Sequence, residues 1–271
     1  MTEQSDKYSV LMSVYAREKA EYLRVAIESI FAQTIQTDDF VIVCDGNLTP
    51  ELDEVLFSYR DRINIVRLPE NVGLGNALNE GLKHCRHDLV ARMDSDDISF
   101  PDRIQKQLQL FKENPDLSLI SGTVTEFKDD IKNLVGKREL PLSNEDIRAF
   151  SRKRNPMNHP AVMFRKTAVE AAGGYSEKYP YFEDYYLWVR MLMNGSNARN
   201  LSDGLVYMRV DDDTFARRGG RKYASDMLSF HKYLKASGWS SLKDYLTGAV
   251  PHALVCILPN SLRKAVYKKL H

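Results

Sequence analysis

Asp94-Ser95-Asp96-Asp97 sets three carboxylates within four residues, directly after the apolar run 89–93. Ionised neighbours of like charge repel, so a fold keeps such a group together most readily around a cation. Hard oxygen donors suit Mg²⁺ or Mn²⁺, which retain a few protein carboxylates and complete their shell with phosphate and water. Asp94 and Asp96 are the first candidate ligands. Acids ahead of Pro101 would also favour the start of a helix, although one acid would satisfy that need. A second pair, Glu183-Asp184, lies in Phe182-Glu183-Asp184-Tyr185-Tyr186-Leu187-Trp188. The first turn of a helix stabilises negative charge, which is the structural use of these acids. Set among aromatic rings, one of them is equally suited to act as a general base, since desolvation raises its pKa toward neutrality.

Other groups have two readings each. Asp45 ends the apolar run 40–44 (FVIVC), and Asp45-Gly46 is either a ligand position or a turn. His159, in Asn155-Pro156-Met157-Asn158-His159-Pro160, is either a metal or acceptor contact or a satisfied structural histidine. Arg217-Arg218-Gly219-Gly220-Arg221 joins guanidinium groups, which grip diphosphates bidentately, to paired glycines; an exposed basic loop has the same composition. Gly73-Leu74-Gly75 is no dinucleotide fingerprint, because Leu78 stands where the third glycine belongs. Asn71 and Asn79 read as holding that loop and helix start beside the site.

These residues need a scaffold, and the chain supplies alternating strands and helices. Residues 8–14 (YSVLMSV), 40–44, 63–68, 89–93 and 117–122 are short apolar runs of the kind buried parallel strands show. Between them, Leu23, Ala26, Ile27, Ile30 and Phe31 recur at helical spacing, as do Leu74, Leu78, Leu82 and Cys85. Ile104, Leu108 and Phe111 do so again after Pro101. Repeated β–α alternation with short connections predicts a doubly wound, mostly parallel sheet with flanking helices. In such sheets ligands bind beyond the carboxyl ends of the strands, where Asp45 and Asp94 stand. From residue 123 the pattern loosens: 128–147 is a polar excursion, 161–164 and 206–210 are strand candidates, and 183–194 and 223–234 are helices.

The 271 residues are 43% hydrophobic and 28% charged, which excludes fibrous and disordered classes. Three scattered cysteines without CxxC spacing fit a reducing compartment. Residues 1–7 are polar, unlike a secretion leader, and no apolar run approaches the ~20 residues of a spanning helix. The net charge of +1 conceals an asymmetry: residues 215–271 hold 11 Lys and Arg against 2 Asp and Glu. A basic tail faces an anionic partner or forms a solvated surface. Nucleic acid is not that partner, because stacking aromatics are not interleaved with the charge. Residues 242–258 are apolar in patches, broken by Pro251 and followed by Arg263, Lys264, Lys268 and Lys269. Such a segment lies on an anionic leaflet or closes the domain as a buried helix.

Taken together, residues 9–15 with the helix after them, Asp45-Gly46, Asn71-Val72-Gly73 with Asn79, Asp94-Ser95-Asp96-Asp97 and Glu183-Asp184 with Leu187-Trp188-Val189-Arg190 resemble glycosyltransferase family 2. The resemblance runs from about residue 8 to 233. It is closest to transferases of bacterial capsule, exopolysaccharide and O-antigen synthesis, through residues 158–166 and Arg217-Arg218-Gly219-Gly220. It implies a GT-A fold: a catalytic domain over 1–214, with a nucleotide-sugar half (1–122) and an acceptor and base half (123–214), then a basic helical extension (215–271). It further implies a UDP-sugar donor, Mn²⁺ or Mg²⁺, and a lipid-diphosphate-linked glycan acceptor at the inner face of the cytoplasmic membrane. Asp45 and Tyr15 would meet the nucleoside, Asp94 the ribose and metal, and Asp96 the metal. Asp184 would be the base, with Glu183 second. Asn71, Asn79, Arg217 and Arg218 would serve the donor, His159 the metal, and Tyr185, Trp188 and Arg190 the acceptor.

The chain departs from the family where Pro-x-Tyr-Asn is Ser13-Val14-Tyr15-Ala16, where Asp-Gly-Ser-x-Asp is Asp45-Gly46-Asn47-Leu48-Thr49, and where Ala-Arg-Asn is Ala77-Leu78-Asn79. These changes touch the nucleotide contacts and leave the acid motif intact. A nucleotidyltransferase that makes the donor would carry a Gly-rich loop after the first strand, and residues 13–20 contain no glycine. A catalytically silent sugar- or lipid-binding protein would not need the acids at 94, 96 and 184; metal-dependent donor hydrolysis separates that case.

Overall fold

The computed structural model describes residues 7–211, 219–258 and 263. Four strands open the sheet in parallel: β1 (Ser9–Val14), β2 (Asp39–Cys44), β3 (Asn64–Arg67) and β4 (Leu89–Asp94). Every residue of β2 is buried, which is why its sequence does not alternate. Helix α1 (Ala20–Phe31) turns Leu23, Ala26, Ile27 and Ile30 inward, and α3 (Leu74–His84) turns Ala77, Leu78 and Leu82 inward. Gly81 lets α3 press on Leu11 and Val43, where a Cβ would overlap both side chains. Helix α2 (Pro50–Ser58) has no strong apolar stripe and went unread in the sequence. It is set by Pro at its start and by Thr49, whose hydroxyl accepts from Leu52 N at 3.4 Å.

Beyond β4 come the two-residue β5 (Ile98–Ser99), α4 (Arg103–Glu113), β6 (Leu117–Phe127), β7 (Leu134–Arg138) and α5 (Asn144–Phe150). They are followed by β8 (Met163–Arg165), α6 (Lys166–Ala171), α7 (Glu183–Met193) and β9 (Asn197–Arg209). The polar stretch after residue 127 is thus a hairpin strand on β6 followed by a helix. The run at 206–210 is the end of a 13-residue strand whose earlier half is polar. The nine strands among the described residues belong to one sheet, in the path β3-β2-β1-β4-β8-β6-β9-β5 with β7 beside β6. The sheet is parallel among its first four strands and mixed beyond them: β8 runs antiparallel to both β4 and β6, while β6 and β9 are parallel. A three-residue run carries no mark of its direction, so the reversal was not legible.

Apolar clusters cover both faces of the sheet. Cys44, Cys85 and Cys256 are buried within the packing and are not joined in disulfides. A third cluster joins α7 to α8 (Arg221–Ala236), with Phe230 against Tyr179, Phe182 and Tyr185. The chain then continues through α9 (Leu242–Asp244), a π-helical turn (Tyr245–Ala249) and α10 (Val250–Ile257), packing Ala253 and Cys256 into that same cluster. Among the described residues no helix is long and apolar enough to cross a membrane.

Candidate active site

The parallel register aligns the carboxyl ends of β1, β2 and β4. Val14 pairs with Cys44 and Ser13 with Asp94, so Tyr15, Asp45 and Asp94 emerge along one edge. Because β8 is antiparallel, its entry segment, residues 155–162, arrives at that same edge.

Asp94 is clamped by Arg92, which donates to both carboxylate oxygens. Residues i and i+2 of a strand share a face, so an arginine two places before the acid faces it. Arg92 is 2% exposed, and its backbone oxygen accepts from the fully buried Arg103 at 2.7 Å. Burial, reinforced by Arg92, lowers the Arg103 pKa to about 9. Asp97 accepts from the Arg209 amide at 2.8 Å, and its other oxygen has no partner among the described residues. Burial, then Asp96 and Asp94, hold the Asp97 carboxyl well above the ordinary range. Burial, then Asp94 and Glu18, push Asp96 up to about 7. Glu18 reaches the loop directly, accepting from Ser95 Oγ at 2.6 Å. A half-buried Asp96 and a buried Asp97, both resisting ionisation, with one Asp97 oxygen unpartnered, make a site short of positive charge among the described residues, which fits a cation. The described residues gather no group of three or more His, Cys, Asp or Glu able to hold a metal. Asp96, with Asp94 shared by Arg92, therefore leaves most of a coordination shell to phosphate and water.

Asp45 is buried and braces the next loop: its oxygens accept from Val72 N at 2.7 Å and Gly73 N at 3.2 Å. Asn71 donates to the Asp45 carbonyl at 3.2 Å. Asn79 grips the Tyr175 backbone from both sides, donating to its carbonyl at 2.9 Å and accepting from its amide at 2.8 Å. Both asparagines shape loops at the edge, the structural part that their positions implied. Gly46 has φ +83°, and a Cβ there would meet the Asn71 backbone at 2.8 Å. Tyr15 is 39% exposed at the rim.

Glu183 and Asp184 begin α7 at the same edge. Asp184 accepts from Asn155 Nδ2 at 2.7 Å and from the Tyr185 amide at 2.6 Å. Burial, then Asp184, raise the Glu183 pKa. Arg92 and Tyr175 lie within electrostatic reach of both acid groups. Beneath them His159 Nε2 is 2.9 Å from the Tyr175 hydroxyl, and its ring packs on Trp188. Burial and Arg92 keep this imidazole well below its ordinary pKa, hence neutral. The Tyr175 bond takes one ring nitrogen of His159, as the structural reading of this residue expects.

The three residues expected at the acceptor form its support instead. Trp188 is fully buried and Tyr185 nearly so, its hydroxyl donating to the Ser151 carbonyl at 2.7 Å. Arg190 donates to the carbonyls of Ala172 and Gly174. Helical spacing named the right element, but the large rings face the core. Arg217 and Arg218 lie outside the described residues. Arg92, Glu18, Asn155 and Tyr175 were missed. Only Arg92 left a signal, as a cation inside a buried strand two residues ahead of an acid.

Residues 9–172 match the glycosyl transferase family 2 profile. The chain is 38% identical over 272 residues to a UDP-Gal:alpha-D-GlcNAc-diphosphoundecaprenol beta-1,3-galactosyltransferase of Escherichia coli, covering 100% of this chain and 98% of that one. It is 39% identical over 237 residues to an amylovoran biosynthesis glycosyltransferase of Erwinia amylovora, covering 86% and 88%. Its fold is similar to that of S. aureus TarS 1–349 in complex with UDP-GlcNAc, with TM-score 0.60 and 18% identity over 82% of this chain and 66% of that one. A GT-A sheet with acids at its carboxyl edge, matched over most of its length, makes this chain a member of glycosyltransferase family 2.

Proposed function

We propose that the protein transfers a hexose from a UDP-sugar to a hydroxyl of a lipid-diphosphate-linked saccharide, with inversion, in bacterial surface polysaccharide synthesis. The observation that carries this reading is the convergence of two unlike acid groups, 94–97 and 183–184, around Arg92 and Tyr175. Likeness to the E. coli galactosyltransferase along the whole chain supports the donor and acceptor classes. Residues 1–122 hold the nucleotide sugar and 123–214 the acceptor.

Tyr15 and the loop braced by Asp45 receive the nucleoside. Asp96, with Asp94, would hold Mn²⁺ or Mg²⁺, which neutralises the charge growing on a departing diphosphate. Arg92 fixes Asp94 so that the edge is preorganised rather than rearranged during reaction. Asp184, oriented by Asn155, takes the proton of the acceptor hydroxyl as it attacks the anomeric carbon. Attack opposite the leaving group inverts that centre, so an α-linked donor yields a β-linked product.

The test is incubation with UDP-galactose and a lipid-diphosphate-linked GlcNAc, followed by NMR of the product linkage. A β-linked disaccharide that disappears with EDTA is expected. An α-linked product, or full turnover in EDTA, overturns the mechanism.

A further inference from the structure

The segment from α9 through α10 packs the opposite way from an ordinary surface helix. It turns the small Ala249, Ala253 and Cys256 inward, while Leu242, Leu246, Leu254 and Ile257 are 56%, 53%, 63% and 50% exposed. Water-facing helices normally show polar residues on that side, and grouped exposed apolar side chains mark a contact surface. No charged residue occurs from 245 to 262, whereas Lys243 and Asp244 precede that stretch and Arg263 and Lys264 follow it.

The loop after α5 lies against this segment and adds positive charge. Lys153 pairs with Asp244 at 3.3 Å, and its chain passes close over Gly248. Ser151 accepts from Trp239 Nε1 at 3.0 Å. Arg152 and Arg154 of this loop are exposed. The next residue, Asn155, is the one that holds Asp184. An apolar face and a basic rim are thus tied through one short loop to the acid at α7.

We propose that the outward face formed by Leu246, Leu254 and Ile257, rimmed by Arg152 and Arg154, docks on an anionic lipid bilayer and presents Asp184 to an acceptor anchored there. Charge complementarity selects this occupant: apolar side chains enter the headgroup boundary while guanidinium groups meet lipid phosphates. Aliphatic side chains beside the exposed guanidinium groups of Arg152 and Arg154, with Asp244 already paired to Lys153, match a headgroup boundary better than a protein surface. The acceptor half of this inference rests on the proposed function; the docking half does not.

The experiment is co-sedimentation of the full chain with vesicles of phosphatidylglycerol and phosphatidylethanolamine, against phosphatidylcholine alone. Binding to the anionic vesicles, weakened by high salt, is expected. Leu246→Ser combined with Leu254→Ser and Ile257→Ser, and separately Arg152→Glu with Arg154→Glu, should each lower partitioning about tenfold or more. Both variants should keep wild-type melting temperature and wild-type hydrolysis of UDP-sugar. Transfer to a vesicle-embedded acceptor should drop in parallel, and transfer to a short-chain acceptor should not. Wild-type protein left in the supernatant, or variants that bind normally, overturns the docking surface. So does a change in oligomeric state of the serine variant, which would assign the face to a second copy. If vesicles bind the protein but no acceptor is glycosylated, the proposed function fails while the surface stands.

Discussion

The two acid groups at the sheet edge solve opposite electrostatic problems. At residues 94–97 three carboxylates crowd a strand end; among the described residues Asp94 is clamped by Arg92, and one oxygen of Asp97 has no partner. At residues 183–184 the acids sit in the first turn of α7, and both oxygens of Asp184 accept hydrogen bonds. The first group is unstable as it stands and gains from any positive charge brought to it. The second also holds the Glu183 carboxyl above its ordinary range, but it fixes the direction of Asp184 through both oxygens. The contrast fits the proposed division between holding a cation and taking a proton, although both groups read in the sequence as acids at the end of an element.

Exchanging the proposed base, Asp184, for its isostere breaks the comparison most sharply. Asp184→Asn should lower the transfer rate by about a thousandfold, within the range general bases contribute, while calorimetric donor binding persists. Wild-type turnover would remove Asp184 from that role.

Asp96→Asn should act on binding instead, weakening metal-dependent UDP binding by about a hundredfold. It also carries a pH-dependent effect on stability. The folded pKa of Asp96 is raised from 3.8 to about 7, so its contribution to stability is full below pH 4 and is lost as pH rises through 7. Relative to wild type, the ligand-free Asp96→Asn protein should therefore gain stability with pH across that window, by about 1–2 kcal/mol once solvent screening is allowed for. Melting curves of both proteins at several pH values measure the difference. A flat difference would show that Asp96 is not electrostatically stressed.

Asn155→Ala frees one oxygen of Asp184 and should reduce kcat by about ten- to a hundredfold, with KM for the UDP-sugar little changed. Equal loss in both constants would mean that the loop, rather than the acid, was disturbed. The smallest effect is expected from Tyr175→Phe, which deletes the hydroxyl partnered with His159 below both groups. It should cost about 1–2 kcal/mol of stability. A large loss of activity at unchanged stability would move Tyr175 from support into the reaction.

How much was legible follows from the range of the forces involved. Apolar runs and helical spacing are local, so the first four strands, α1, α3 and α7 stood in the sequence nearly at their true bounds. Acid motifs were legible as well, because three carboxylates in four residues have few structural uses. The Arg92 clamp has sequence spacing two, and a strand's alternation would have revealed it. The Asn155–Asp184 and Glu18–Ser95 bonds join residues 29 and 77 positions apart. No local pattern marks such pairs. Trp188, Tyr185 and Arg190 misled because aromatic and cationic side chains look alike whether they meet a ligand or a core.

By itself the amino-acid sequence determined the chemistry on offer: a β–α framework, carboxylates at strand and helix ends, and a basic tail with an uncharged apolar stretch. Those properties depend on neighbours in the chain. Only the tertiary structure decided which acid is clamped, which is left wanting charge and which is aimed. It also decided which face of the last helices meets water. Each of those outcomes depends on burial and on partners brought together by antiparallel β8 and the long strands β6 and β9, and burial exists only once the chain has closed on itself.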